Sequence, residues 1–396
     1  MKKSFIKCFL AVLALILLTS HNLFAQDNNK TDSEQGKIQG LIKYQGDSKP
    51  INLTMEEALK RSLDNNLNIK IKKEQIKEKQ LKLDDVQKSR FFLFFKFVNP
   101  IALENSAKYS LQSSQYQMDA TSNTVLLEVA SKYYNLLNTI MAKKIADEFL
   151  KQGELSLNEN IELLNTGHST KFDVSQTEVF VAGLKQKELE AEIAYMVSSV
   201  ELAQKINIKD LTTKIIPFPE ANSDEVKIKT LNIIPDNVLL NDCINKALES
   251  RPEIKDYEYQ IKSLEEMKKA SKMDNIKVDT FDAQINQLKN MLELTQNNIK
   301  TSLTQSLLSL IGAKNQIEVA NQKYQLSIKA LNQAKITKEE GFNTNKNVLD
   351  AQVELALSKN KYIESVIAYN IAQINFLYQL GIININNIIS NKLIEI

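Results

Sequence analysis

Residues 167–174 read GHSTKFDV, and residues 341–348 read GFNTNKNV. The two octapeptides carry glycine, threonine and valine at the same three places, so position 167 corresponds to position 341. The correspondence continues without a gap as far as residues 208 and 382. A match of this length indicates two tandem copies of one structural unit, and this duplication decides the fold.

The starts of the two copies also match each other, but the offset in residue number is larger there than at the glycine octapeptides. Residues 62–69 match residues 247–254, so the second copy is the shorter of the two between this match and the glycine octapeptide. The repeat therefore covers nearly the whole chain, and one segment inside it differs in length.

Long helices are predicted on both sides of each repeated glycine. Thr54 and Glu57 have the spacing of an N-terminal capping box, and the apolar periodicity after them continues to about residue 90. After Pro100 a second helical pattern, which includes Gly153, runs for roughly 65 residues, or about 100 Å of α-helix. Gly167 ends this helix, and a returning helix is predicted over about 173–208. Such lengths favour coiled-coil-like hairpins over an ordinary globular domain.

The returning helices show a seven-residue apolar repeat, which predicts left-handed supercoiling. Two adjacent seams on one helix favour packing against neighbours on both sides, as in a closed ring of helices. An ordinary two-helix hairpin with a broad apolar face is the alternative. The first seam consists of Val348, Leu355, Tyr362, Tyr369 and Phe376 in copy two and of Val174, Val181, Tyr195 and Leu202 in copy one; the second consists of Leu349, Ala356, Ile363 and Leu377.

The N-terminus has the features of an export signal. Three lysines precede an apolar run over residues 8–18, and Ala25 ends a short segment of small and polar residues. No later run reaches the roughly 18 apolar residues of a transmembrane helix. The mature chain keeps one cysteine, Cys243, which excludes an internal disulfide.

Composition excludes several classes of function. Nine glycines among 396 residues argue against an all-β protein and against glycine-rich phosphate loops. The formal net charge of +2 falls to about −1 when the three leader lysines are removed, so no nucleic-acid surface is indicated. The mature chain has one histidine, His168, and no zinc-binding cluster, nucleotide-binding or hydrolase motif. We therefore expect no metal, no cofactor and no enzymatic activity.

These patterns divide the chain into six parts. The predicted parts are the signal peptide 1–25, an N-terminal extended segment 26–52, the first helical repeat 53–208, a linker 209–237, the second helical repeat 238–383 and a C-terminal tail 384–396. Short strands are predicted in the linker around residues 215–216 and 226–228 because β-branched residues lie there between prolines.

Over about residues 53–382 the sequence resembles the bacterial outer-membrane efflux proteins of the TolC family. The similar motifs are LTMEEAL at 53–59, VASKYY at 129–134 and the two glycine-containing tips. The resemblance implies a mainly α fold, in which long antiparallel hairpins in two tandem repeats form a coiled-coil-like α-barrel. It also implies a homotrimer in the periplasm and outer membrane of a Gram-negative-type bacterium, with a periplasmic adaptor and an inner-membrane pump as partners.

One part of the family pattern is reduced here. The family carries a β-hairpin between the two long helices of each copy, and each membrane strand needs about 9–11 residues. Copy one offers only residues 91–98, and copy two offers the mostly polar residues 273–281. We therefore expect the β-barrel part to be vestigial or absent. Either membrane contact or packing inside the helix bundle would suit the aromatic cluster of Phe91, Phe92, Phe94, Phe95 and Phe97.

The resemblance also assigns roles at the two tips. Asp173 occupies the place of an aspartate that locks the closed tip, but Asn343 and Lys338 stand where its arginine and tyrosine partners are expected. Asp350 matches one aspartate of the inner pore ring, and Asn347 replaces the other. A solvated carboxylate near the tip is the alternative for Asp350. Gly167 and Gly341 are the tip glycines.

Three functions are compatible with these features. The first is the channel component of a tripartite efflux or type I secretion system, which acts as a passive conduit for small molecules or proteins. The second is a periplasmic helical scaffold or adaptor-binding tube without a barrel. The third is a generic exported coiled-coil protein. The duplication and the tip motifs favour the first two.

Overall fold

The computed structural model describes residues 50–89, 99–211, 213–218, 228–271, 278–342 and 345–394. The predicted signal peptide, the phenylalanine cluster and Asn343 lie outside these residues. The expectation of shortened membrane strands concerns residues 91–98 and 273–277, which also lie outside them, together with the described residues 278–281, which are helical.

Nine helices and two short strands make up the described residues. They are β1 (Ile51–Leu53), α1 (Met55–Asn65), α2 (Leu67–Lys88), α3 (Pro100–Asn165), α4 (Lys171–Lys205), β2 (Ile215–Pro217), α5 (Leu240–Ser250), α6 (Pro252–Ser271), α7 (Val278–Glu339), α8 (Asn345–Gln379) and α9 (Ile385–Ile389). Helices α1–α4 form copy one and α5–α8 form copy two. The long helices have 66 and 62 residues, and both returning helices have 35. The predicted mainly α fold of long antiparallel hairpins is confirmed.

The predicted start of the first helix is confirmed, but that helix is broken. The Thr54 side chain and the Glu57 side chain cap each other's backbone N–H groups, as the capping box predicts. The helical pattern that was expected to continue to about residue 90 is interrupted at Asn66. The Asn66 side chain accepts hydrogen bonds from the N–H groups of Asn68 and Ile69, so Asn66 begins a new helix, α2.

The long helices pack side by side in a fixed order. In the half near the tips the order is α4, α3, α8, α7, and in the other half it is α2, α3, α6, α7. Cross-helix bonds illustrate both halves: Lys359 of α8 pairs with Glu148 of α3 at 2.8 Å, and Ser263 of α6 bonds Ser106 of α3 at 2.9 Å. Helix α7 therefore ends the layer in both halves, and α4 and α2 end it on the other side.

The linker between the two copies is held across the middle of the long helices by strand pairing and by side-chain hydrogen bonds. Strands β1 and β2 pair in parallel, with Ile51 opposite Ile215. The strand predicted at residues 215–216 is thus present, whereas residues 226–227 lie outside the described part of the chain. On α8 the fully buried side chains of Asn370 and Gln373 bond the backbone of residues 229–234. These amides satisfy backbone groups that burial would otherwise leave unpaired.

The first predicted seam is buried in copy one and partly buried in copy two. Val174, Val181, Tyr195 and Leu202 are all buried in copy one; Val348, Tyr369 and Phe376 are buried in copy two, where Leu355 and Tyr362 are half-buried. Gly153, which interrupts the pattern of α3, lies inside the helix, and a Cβ there would meet Leu184 at 2.6 Å. Its small size therefore lets α4 approach closely. Within the described part of the chain, no helix combines the length and apolarity needed to cross a membrane.

Candidate functional site

Both hairpins turn at the predicted glycines. Gly167 and Gly341 have φ angles of +75° and +80°, a conformation that favours glycine over residues with a Cβ. In each turn the residue after the glycine donates a backbone hydrogen bond to a carbonyl of the last helical turn: His168 to Leu163 at 2.8 Å, and Phe342 to Thr337 at 2.9 Å. This pattern is the Schellman motif, which closes the helix end.

The returning helix of copy one begins with a capping box that sequence reasoning missed. The Asp173 carboxylate accepts hydrogen bonds from the Thr170 N–H at 3.0 Å and the Thr170 hydroxyl at 2.6 Å, and the Asp173 N–H donates to that hydroxyl oxygen. These bonds from Thr170 hold the pKa of the Asp173 carboxyl below its ordinary value. The carboxylate therefore stays ionised and is held by its own hairpin.

A cavity separates the starts of the two returning helices. It has a volume of about 590 Å³ and lies between the first turns of α4 and α8. Its apolar lining includes Phe172, Phe180 and Leu349, and its charged lining includes Asp173, Asp350 and Lys346. The first turn of each hairpin's returning helix thus contributes to one shared concave surface at the tips.

Two phenylalanine side chains are strongly exposed near the tips. Phe342 directly follows the tip glycine of copy two and is 83% exposed, and Phe172 of α4 is 69% exposed. Exposed aromatic rings beside a cavity with charged groups are typical of a surface that a partner covers.

Close to the tips, the contact between the two helices of a hairpin contains a polar pair in copy one and alanines in copy two. In copy one the buried Asn160 amide donates a 2.7 Å hydrogen bond to the Thr177 hydroxyl. The corresponding positions of copy two are Ala334 and Ala351. A buried polar pair costs desolvation but favours one relative arrangement of two helices.

Comparison of the fold with solved structures finds membrane proteins, among them an outer-membrane channel. A membrane protein from Pseudomonas aeruginosa superposes with a TM-score of 0.68 at 14% identity, over 83% of this chain and 93% of the other. The CmeC outer-membrane channel of Campylobacter jejuni gives 0.65 at 10% identity, over 83% and 85%. The outer-membrane protein VceC from Vibrio cholerae gives 0.64 at 11% identity, over 83% and 96%.

The chain has the fold of the TolC-family channels. No protein-family model and no curated protein matches its sequence. The TolC-like fold accounts for the two repeats and their long hairpins, and it places Gly167 and Gly341 at the ends of those hairpins.

Within the TolC-like fold, two of the predicted tip residues line the cavity, two lie in the end turns of α7 and α8, and Asn343 lies outside the described residues. Asp173 and Asp350 face the same cavity, although sequence reasoning assigned them to separate roles. Lys338 lies in the last turn of α7 and Asn347 in the first turn of α8. The Asp173 carboxylate accepts its described hydrogen bonds from Thr170 and Ser169. Its role as a lock between hairpins stays a prediction, since Asn343 lies outside the described residues.

Phe172, Phe180 and Lys346 belong to this site and were not predicted. Phe172 and Val179 are seven residues apart on α4, so the heptad pattern contains a signal for an apolar stripe on that helix. Sequence reasoning followed the buried seams instead. No group of three or more histidine, cysteine or carboxylate side chains suited to a metal ion occurs among the described residues.

Proposed function

We propose that this protein is the channel component of a tripartite efflux or type I secretion system and that it acts as a passive conduit. The likeness to solved membrane proteins carries the proposal, because it spans 83% of this chain and 85–96% of three such structures, one of which is an outer-membrane channel. Long hairpins in two tandem repeats are an unusual architecture, and sharing it over almost the full length favours a shared task. No feature of the described residues suggests a chemical reaction at the tips.

We further propose that three copies associate and that the tips meet a periplasmic adaptor and an inner-membrane pump. The shared cavity between α4 and α8 supports an adaptor contact, because it combines an apolar lining with carboxylates and a lysine. The exposed Phe342 and Phe172 rings extend this surface to the hairpin ends. On this view the protein belongs to the periplasm and the outer membrane.

Fractionation tests the proposal directly. Cells that produce the full chain are separated into soluble and outer-membrane fractions, and the membranes are washed with alkaline carbonate, with a soluble periplasmic protein as the control. If the protein is a channel, we expect it to remain in the outer-membrane pellet while the control washes off, which would also show that an embedded element exists and that the expectation of a vestigial or absent barrel is wrong or incomplete. Release with the control would contradict the channel and would favour the periplasmic scaffold.

Asp350 is proposed to make the tip selective for cations. Three copies would bring three Asp350 carboxylates close together, and a ring of like charge attracts counter-ions. We expect Asp350→Asn to lower the cation preference of the channel in planar bilayers. The matched variant Asn347→Asp adds a second carboxylate per copy one helical turn away, so it should raise that preference. Unchanged selectivity in both variants would reject the role of Asp350.

A further inference from the structure

A small cavity lies among three helices in the half of the layer that contains the tips. It has a volume of about 160 Å³ and lies between α3, α4 and α8. It is distinct from the larger cavity at the tips, whose lining on α4 ends at Phe180, because its own lining on that helix begins at Leu184. An engineered apolar cavity of about 150 Å³ takes up a benzene molecule, so this cavity has room for one small aromatic ring.

Apolar side chains from all three helices line most of this cavity. Ile145 and Phe149 of α3 and Leu184 of α4 are buried, and Val353 and Ala356 of α8 are half-buried. Ligand pockets in proteins typically combine such a lining with a few polar groups that orient the ligand. The lining therefore favours a ligand with an apolar body.

One polar side chain of this lining has an unused hydrogen-bonding atom. Asn360 lies one helical turn beyond Ala356 on α8 and contributes to the same cavity. Its Oδ1 atom is buried and accepts no hydrogen bond from the part of the chain that the structure describes. Most buried polar atoms in native proteins have a partner, because burying one without a partner costs free energy. The Asn360 oxygen can therefore accept a hydrogen bond from a ligand in the cavity.

The duplicated architecture does not require this apolar lining. Phe149 and Leu184 correspond in the repeat to Lys323 and Ser358 of copy two. The second hairpin forms helices of similar length with these polar residues in place. The apolar lining is thus a property of this one location in the chain.

The cavity reaches the protein surface. Two of its lining residues, Leu357 of α8 and Lys187 of α4, are exposed, and the Leu357 side chain is 52% exposed. A small molecule can therefore enter from this side without unfolding any of the three helices.

We infer that this cavity binds a small uncharged molecule that combines an apolar body with one hydroxyl group, such as a simple phenol. The apolar body contacts the side chains from α3, α4 and α8, and the hydroxyl group donates a hydrogen bond to the Asn360 Oδ1 atom. A ligand held in this way contacts three helices at once and stabilises their packing. The inference goes beyond the proposed function and does not depend on it.

Two fluorinated probes test the inference with the full chain. The affinities of 4-fluorophenol and fluorobenzene, which differ in one hydroxyl group, are measured by fluorine NMR titration. We expect 4-fluorophenol to bind about fivefold or more tightly than fluorobenzene, because its hydroxyl group pairs with an acceptor that is otherwise buried without a partner. Equal affinities would overturn the role of Asn360, and no saturable binding of either probe would overturn the site.

Two matched variants locate the preference for the hydroxyl group. Asn360→Leu keeps a side chain of similar shape and removes the acceptor, so both probes should bind it with similar affinity. Gln186→Leu is the control, because Gln186 is the repeat counterpart of Asn360 and is exposed on α4. It should keep the preference of the unsubstituted protein. A preference that persists in Asn360→Leu, or that is lost in both variants, would overturn the inference.

A third variant tests the cavity itself. Ala146 of α3 lines the cavity and is half-buried, so Ala146→Leu places additional side-chain atoms in the space that the ligand needs. We expect this variant to bind neither probe measurably. Undiminished binding of 4-fluorophenol would show that the probe binds elsewhere and would overturn the site.

The thermal midpoint of the protein without ligand gives an independent readout. Asn360→Leu removes a buried acceptor that has no partner, so its midpoint should equal or exceed that of the unsubstituted protein. A clear fall of the midpoint would show that the amide is needed within the folded chain, which would overturn its assignment to a ligand.

The outcomes separate this inference from the proposed function. A protein that binds 4-fluorophenol through Asn360 but washes off the membrane with carbonate would keep the site and contradict the channel. A protein that stays in the outer-membrane pellet but binds neither probe would overturn the site alone.

Discussion

At the scale of single residues, both returning helices are followed by a residue with positive φ, and in copy two that residue packs closely against the start of the copy. Helix α4 ends before Asn207 and α8 before Gly381, which occupy equivalent positions and have φ angles of 57° and 75°. A Cβ on Gly381 would lie 2.9 Å from the backbone nitrogen of Arg251. The buried Arg251 guanidinium donates a 3.0 Å hydrogen bond to the Tyr378 carbonyl and pairs with Glu253 at 2.9 Å. The start of copy two is thereby fixed to its end.

We expect Gly381→Ala to destabilise the protein more than Gly341→Ala. Both glycines have positive φ, so both substitutions carry the left-handed backbone cost of about 1–2 kcal/mol. Only position 381 adds a backbone collision, since nothing lies within 4 Å of a Cβ built on Gly341. Denaturant unfolding of the two variants measures the difference. Equal losses would show that the chain relaxes around Arg251 without cost.

Single residues could be predicted where a backbone conformation strongly favours one residue type. The tip glycines Gly167 and Gly341 were predicted because a helix-ending turn with positive φ favours glycine. Asn207 was missed because asparagine adopts the same conformation but is also common elsewhere. The Thr170 capping box was missed because its third helical residue is aspartate, where the usual motif has glutamate or glutamine.

At the scale of helices, the two hairpins use different chemistry at equivalent places. In copy one, Glu192 of α4 pairs with Lys143 of α3 at 3.3 Å and with Lys214 beside β2 at 2.9 Å. The residues equivalent to Lys143 and Glu192 in copy two are Ile317 and Val366. Burial by itself raises the pKa of the Glu192 carboxyl, but the hydrogen bonds and charges of Lys214 and Lys143 lower it below its ordinary value of 4.5.

This ion cluster predicts a stability difference that depends on pH. Because folding lowers the pKa of Glu192, its contribution is present above pH 4.5 and is lost as the pH falls through the folded-state pKa. We expect Glu192→Gln to lower stability by roughly 1–3 kcal/mol at pH 7 and to match the unsubstituted protein once the pH is well below 4. Thermal unfolding across this range measures the effect.

Glu178→Gln is the control for that prediction, because Glu178 is exposed on the same helix. It should change stability by less than about 0.5 kcal/mol at either pH. A loss caused by Glu192→Gln that stays constant down to pH 3 would show that the carboxylate acts by packing, with no contribution from its charge.

Helix lengths were predictable and helix breaks were not. Long apolar-periodic stretches with no internal proline, one of which ends at Gly167, predicted α3 and α4 to within a few residues of their observed ends. The break at Asn66 depends on one side chain that caps a new helix, and the periodicity runs through it unchanged. The amides of Asn370 and Gln373 bond a segment in the linker, far away along the chain, which no local pattern encodes.

At the scale of the whole molecule, tertiary arrangement decides the candidate site. Asp173 and Asp350 belong to different copies of the repeat, and they face one cavity only because α4 and α8 start at the same end of the helix layer. The repeat predicted that both belong to tips. It did not predict that aromatic side chains of α4 would line the space between the tips, because their orientation depends on how the two hairpins pack.

Exposed apolar side chains on the two terminal helices of the layer predict that stability depends on protein concentration; they include Leu308 and Val319 of α7 and Val179 and Ile193 of α4. A chain whose apolar edges are covered only by other copies gains stability by mass action as copies associate. For a trimer we expect the thermal midpoint of the full chain to rise on the order of 1–3 °C per tenfold increase in concentration. Leu308→Asp should abolish this rise and give a folded monomer, since Leu308 is 65% exposed in the single chain. Asn321→Asp changes an exposed position on another side of the same helix and should leave the rise intact. A midpoint of the unsubstituted protein that is constant over a hundredfold range of concentration would mean that these edges stay uncovered, and the proposed assembly of three copies would then be wrong.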